Sequence, residues 1–296
     1  MDEATAVRST WEALGLPGIV DVHTHFMPKR VMDKVWQYFD AAGPLVGRTW
    51  PIAYRTDEAD RLATLRDFGV RAFTSLVYPH KPAMAAWLNQ WAAQFASTTP
   101  DCLATATFFP EPGADDYVTA AIDGGTRVFK AHVQVGDYDP TDPLLDGVWG
   151  IIADAGIPVV IHCGSGPQPG SHTGPEPISA VLARHPRLRL IVAHMGMPEY
   201  GAFFDLADRY PEVRLDTTMA FTPFVEEIDP FPPAERPRLV ALGDRILFGS
   251  DFPNIPYGYL EAIRVLTELD GIDDDWLRNV LHDNAAQLFG LTITAD

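Results

Sequence analysis

Eight short apolar runs, rich in β-branched residues, recur along the chain, and each is followed by a helical pattern. They cover residues 18–22, 71–77, 102–108, 126–132, 158–162, 188–194, 213–217 and 245–250. The runs return about every 32 residues, which is the length of one strand–helix unit. Segments such as Pro158-Val159-Val160-Ile161-His162 are near-continuously apolar, as strands are when helices cover both faces of a parallel sheet. Eight strands alternating with helices predict an α/β fold, a closed (β/α)8 TIM barrel. Periodicity alone leaves an open doubly wound sheet in play. No Gly-rich phosphate turn follows the first run, which weighs against that alternative.

Helix boundaries are legible between the runs. The segment 60–68 stops at Gly69, 150–155 at Gly156 and 177–185 before Pro186, while Pro82 is placed to open a helix over 83–97. A final amphipathic pattern over 273–289 ends at Gly290. No linker, second repeat period or compositional shift interrupts the series, so residues 1–296 are expected to form one barrel domain. The longest excursion is the first βα loop, residues 26–56. It carries Trp36, Tyr38, Phe39, Trp50 and Tyr54 among Gly43, Pro44, Gly47 and Pro51. Such a loop serves either as a functional lid or as a satellite hydrophobic cluster, and the sequence leaves both open.

Composition removes several classes of function. With 47% hydrophobic and 21% charged residues, disorder and low-complexity scaffolding are excluded. Lys and Arg number 22 against 40 Asp and Glu, a formal net charge of −18. That field repels phosphate backbones and argues against nucleic acid or an anionic membrane as partner. Two cysteines, Cys102 and Cys163, make no disulfide framework and fit a reducing compartment. The opening residues Met1-Asp2-Glu3-Ala4-Thr5 lack the pattern of a signal peptide, and no apolar run approaches the roughly 18–20 residues of a membrane span. A cytoplasmic protein is expected.

The chemistry gathers at the ends of the runs. In Asp21-Val22-His23-Thr24-His25, alternate side chains share a face, so His23 and His25 point the same way. At the C-terminal end of a barrel strand, two such imidazoles can hold one divalent ion. A lone His-x-His is weak evidence, because core histidines are common. Here His162 ends the fifth run, His194 ends the sixth, and Asp251 directly follows the eighth. Four histidines and a carboxylate at the same end of four strands predict a metal site. Lys130 and His132 form a second same-face pair at the end of the fourth run. Arg48 and Arg55, in the first loop, can clamp a substrate carboxylate or pair with acids at the surface. Asp21 reads as a hydrogen-bonded buried carboxylate one layer below His23, and Cys163 as a small core thiol.

Asp21-Val22-His23-Thr24-His25, His162, His194 and Gly249-Ser250-Asp251-Phe252-Pro253 resemble the amidohydrolase superfamily. Within it, the chain is most similar to the amidohydrolase-2 branch that includes aminocarboxymuconate-semialdehyde decarboxylase. Phe129-Lys130-Ala131-His132, the run 192–196 and the run 284–290 also resemble that branch, so the likeness covers roughly residues 19–291. The resemblance implies His23, His25 and His162 as metal ligands, Asp251 as ligand or proton shuttle, and His194 as a catalytic histidine or second-metal ligand. In two-metal members a carboxylated lysine bridges the ions, a position that Lys130 matches. The branch usually works with one ion, which leaves Lys130 and His132 for substrate binding. Nitrogen ligands with one carboxylate suit Zn2+, and Mn2+, Fe2+ and Co2+ are compatible. The expected activity is hydrolysis of a C–N or C–O bond (amide, lactone or ester) in a small organic compound by metal-activated water. Non-oxidative decarboxylation of a small unsaturated or aromatic acid is the alternative, and a ligand-binding barrel without turnover is the third. The family habit further suggests a homodimer.

Overall fold

Each of the eight runs carries a strand. In the computed structural model, which describes residues 2–292, these are β1 Ile19–Asp21, β2 Val70–Thr74, β3 Cys102–Leu103, β4 Thr105–Thr107, β5 Val128–His132, β6 Val159–His162, β7 Leu190–Val192, β8 Val213–Asp216 and β9 Ile246–Leu247. The third run is split between β3 and β4. Thr105 turns its hydroxyl back onto the Leu103 carbonyl at 3.1 Å, a local side-chain bond that competes with regular pairing. The ends of the expected 1–296 span, Met1 and residues 293–296, lie outside the described residues.

The chain divides into two compact units, one formed by Met1–Phe73 with Asp216–Asp296 and the other by Thr74–Leu215. In the first, β1 pairs in parallel with β2, with Val20 opposite Ala72 and Asp21 opposite Phe73. Beyond β1 the chain runs beside the exit of β9. Val22 N–H donates to the Phe248 carbonyl at 3.0 Å, Asp251 N–H to His23 at 2.8 Å, and His25 N–H to Phe252 at 2.7 Å. These bonds bring the His-x-His segment alongside Asp251. An N-terminal helix, Glu3–Ala13, is capped by the Asp2 carboxylate on Thr5 N–H. Its Trp11 donates to the Phe68 carbonyl at 2.9 Å. Gly69 leaves room for that indole: its φ is +81°, and a Cβ there would fall 2.5 Å from the ring.

The first long loop holds two helices, Lys29–Ala41 and Gly43–Val46. Trp36 and Trp50 are buried, and both donate to Asn254, at 3.1 Å and 2.7 Å. Trp50 also packs between Phe39 and Phe224. The aromatic residues thus form a satellite cluster of the first unit. The final amphipathic pattern is one helical run of three pieces, Asp274–Arg278, a π turn at Asn279–Asp283 and Asn284–Phe289, ending at the left-handed Gly290.

In the second unit, β4, β5, β6, β7 and β8 lie in sequence order and pair in parallel. Val159, Val160 and Ile161 are all fully inaccessible, as expected of a strand covered on both faces. Each such side chain stabilises the fold by about 1.5–3 kcal/mol. Helices Ala85–Thr98, Ala114–Asp123, Pro143–Ala155, Pro175–Arg184 and Tyr200–Arg209 alternate with these strands. Two helix expectations need correction. The helix ending at Gly156 starts at Pro143, with Asp142 accepting from Leu144 N–H. Pro82 lies outside its helix, which begins at Ala85, because Ala83 is left-handed at φ +61°. No helix among the described residues is long and apolar enough to cross a membrane.

Candidate metal centre

His23, His25 and Asp251 come together in the first unit. One ligand atom from each lies within 4.8 Å of the others, and all three residues are buried. Asp251 Oδ1 is 2.8 Å from His25 Nε2 and 3.7 Å from His23 Nε2. The other nitrogen of His23, Nδ1, contacts Asp216 Oδ2 at 2.9 Å. Two nitrogens and a carboxylate oxygen converging on one point are the donor set of a divalent transition-metal ion. A carboxylate behind one imidazole is the usual support for such a ligand. The residues present therefore fit a metal.

Two features hold the centre in place. Asp251 is left-handed at φ +70°, a costly conformation for a residue with a side chain and one that clusters at functional sites. Below the ligands, Asp21 is fully buried and collects four donors. Ser250 Oγ donates at 2.6 Å, Tyr259 Oη at 2.8 Å, and the backbone N–H groups of His23 and Ser250 at 3.1 Å each. Burial pushes the Asp21 carboxyl up to about 7, against the pull of the Ser250, His23 and Tyr259 donors. The sequence reading of Asp21 as a hydrogen-bonded core carboxylate agrees with this geometry.

The remaining histidines of the pattern fall in the second unit. His132 stacks on His162, ring centroids 4.1 Å apart and 11° from parallel, and His162 meets His194 edge-on at 4.8 Å. Tyr78 lies 4.8 Å from His132. His162 Nε2 donates to the Gly166 carbonyl at 3.1 Å, and Val135 N–H donates to His132 Nδ1 at 3.3 Å. Lys130 is fully buried. His194 and Met195 are both left-handed, at φ +55° and +53°. Cys163 is buried, and burial pushes its thiol well up, so it is an inert core thiol.

The two loop arginines are engaged by protein carboxylates. Arg55 makes a two-pronged contact with Asp40 at 2.7 and 2.8 Å at the surface. Arg48 donates to Glu227 and to the Phe224 carbonyl and lies 4.1 Å over the Phe224 ring. Sequence reasoning missed Asp216 altogether. Its only local signal is an acid at the end of an apolar run.

The family model for amidohydrolases matches residues 20–291, a span that runs through both units. The chain belongs to the amidohydrolase family. No curated protein sequence matches it. Among solved structures it is similar to an uncharacterized TIM-barrel protein of Bordetella bronchiseptica, at 20% identity and TM-score 0.73, covering 92% of this chain and 98% of that one. It is also similar to 5-carboxyvanillate decarboxylase of Novosphingobium aromaticivorans, solved with manganese and 4-hydroxy-3-methoxy-5-nitrobenzoic acid. That match is 13% identical, with TM-score 0.61, and covers 94% of this chain and 97% of that one. A third match is a Pseudomonas putida protein described as a 2-pyrone-4,6-dicarboxylic acid hydrolase, at 16% identity and TM-score 0.60, covering 93% and 98%. At these identities the likeness shows the fold, the α/β TIM barrel that the repeat of the sequence predicts.

Proposed function

We propose that this amidohydrolase is a metal-dependent enzyme that hydrolyses a C–N or C–O bond, such as an amide, lactone or ester, in a small carboxylated compound. The observation that carries the proposal is the convergence of His23, His25 and Asp251 with Asp216 behind His23. His23, His25 and Asp251 would hold one divalent ion, and His162 is proposed as a further ligand on the sequence resemblance alone. When bound, such an ion supplies Lewis acidity and makes water nucleophilic at neutral pH. Zinc suits the nitrogen-rich set, and manganese is the ion of one similar structure.

Asp251 carries the proton traffic: its Oδ1 lies 2.8 Å from His25 Nε2 among the converging ligand atoms, where a carboxylate oxygen can accept a proton from water and release it to a leaving group. His194 is proposed to polarise the substrate carbonyl. In the second unit, Lys130 and His132 are proposed to bind a substrate carboxylate. Val135 N–H occupies His132 Nδ1, which puts the proton of a neutral ring on Nε2 and leaves that nitrogen as a donor.

Decarboxylation of a small aromatic acid is the second reading, favoured by the likeness to 5-carboxyvanillate decarboxylase. Both chemistries are tested on purified, metal-analysed protein with a panel of lactones, amides and hydroxybenzoic acids. Release of acid without carbon dioxide supports hydrolysis, and carbon dioxide evolution supports the lyase. Metal-loaded protein inert on every substrate class contradicts both.

A further inference from the structure

We propose that Asp216 is the positioning residue of the metal centre, fixing the tautomer and ring plane of His23 so that its Nε2 lone pair faces the cation. The inference rests on the metal reading above. Asp216 closes β8 and is fully inaccessible, as His23 nearly is. A carboxylate in such a place is strongly disfavoured unless its oxygens are satisfied. Its Oδ1 accepts the Thr218 backbone N–H at 3.1 Å, and its Oδ2 lies 2.9 Å from His23 Nδ1.

An ionised carboxylate can only accept, so this contact requires the proton on Nδ1. A neutral imidazole protonated there presents a bare lone pair at Nε2. That atom is the one 3.7 Å from Asp251 Oδ1, the oxygen that also meets His25 Nε2. Asp216 therefore holds one side of the ring while the other faces the converging ligands.

The neighbouring backbone is shaped for this approach. A Cβ on Gly249 would fall 2.2 Å from Thr218 Oγ1, 2.8 Å from His23 Cβ and 3.4 Å from Asp216 Cγ. Only glycine at 249 lets these three residues meet. Asp21 completes the support from the main-chain side by accepting His23 N–H at 3.1 Å. Asp21 sets where the backbone of His23 lies, and Asp216 sets which way its ring turns.

The test is a titration of chelator-stripped, full-length protein with Zn2+ against a chromophoric competitor, then with Mn2+. Wild type, Asp216→Ala and Asp216→Asn are compared, with the thermal midpoint of each metal-free protein recorded alongside. Asp216→Ala removes the acceptor and is expected to weaken metal binding about 10–100-fold, the range for loss of an outer partner of a ligating histidine. Asp216→Asn keeps an oxygen for Nδ1–H and is expected to recover most of that loss. Nitrogen chemical shifts of the His23 ring in metal-free wild type are expected to show a protonated Nδ1 and a bare Nε2.

Affinity within roughly twofold of wild type in both variants overturns the proposal whatever happens to the thermal midpoint, as does a His23 protonated at Nε2. If Asp216→Ala does not fold, affinity of Asp216→Asn and the wild-type ring shifts decide. Wild-type protein that binds neither ion refutes the metal reading itself, a result distinct from failure of the positioning role.

Discussion

The two units each carry a histidine cluster, and the clusters are built on different principles. In the first, His23, His25 and Asp251 aim ligand atoms at a common point, with a second carboxylate, Asp216, on the far side of one ring. In the second, His132, His162 and His194 meet through their ring faces and edges. Backbone groups occupy a nitrogen of His132 and of His162, and the buried charged group is Lys130 rather than a carboxylate. Acidic supports and converging lone pairs favour a cation. A lysine with N–H donors favours an anion or a carbonyl oxygen. Counting histidines alone would have assigned both clusters the same role.

The largest expected effect separates the clusters at once. His23→Ala and His25→Ala should each lose the bound metal and essentially all turnover while keeping the fold, because barrel stability resides in the packed layers away from the strand ends. Circular dichroism with elemental analysis checks this, and full metal occupancy in either variant would break the assignment. Asp251→Asn comes next. The amide keeps an oxygen of similar shape but accepts no proton at neutral pH, so metal should largely remain while the rate falls about 10²-fold or more. A variant within a few-fold of wild type would remove Asp251 from the proton path.

Sharpening the second cluster calls for Lys130→Met, which retains the buried stem while removing the charge. KM for a carboxylated substrate should rise about tenfold or more, the scale of one lost charge-assisted hydrogen bond, with metal content unchanged. A fall in metal content would instead make Lys130 part of the ion site. The smallest effect belongs to Arg55→Ala. Its partner Asp40 is half exposed, so solvent screens the pair and stability should barely change, and KM should not move. A raised KM would restore Arg55 as a substrate clamp.

Legibility from sequence followed the range of the forces involved. The strands were readable because each is a short apolar run buried on both sides, and β6 needed nothing more than its composition. His23, His25 and Asp251 were readable because strand alternation and a strand end fix their direction. The start of the helix Pro143–Ala155 was hidden by Gly147 and Gly150 inside it. Both Gly147 and Asp115, the side chain that a Cβ there would meet, are exposed, so the helix tolerates this glycine without needing it, and a glycine inside a helical pattern reads in sequence as a breaker. Asp216 was illegible for a different reason. Its partner His23 is 193 positions away, and no local pattern links an acid on one strand to an imidazole on another. The left-handed turn at His194 and Met195 likewise leaves no mark, since neither residue is glycine or asparagine.

The comparison between the clusters is tested most directly by counting metal in three proteins purified identically: wild type, His23→Ala/His25→Ala and His132→Ala/His194→Ala. Elemental analysis should give about one ion per chain in wild type, as a single open site with few protein ligands holds. It should give essentially none in the first double variant and an unchanged value in the second. Metal retained in the first and lost in the second would contradict the account, as would two ions per chain in wild type that fall toward one in Lys130→Met.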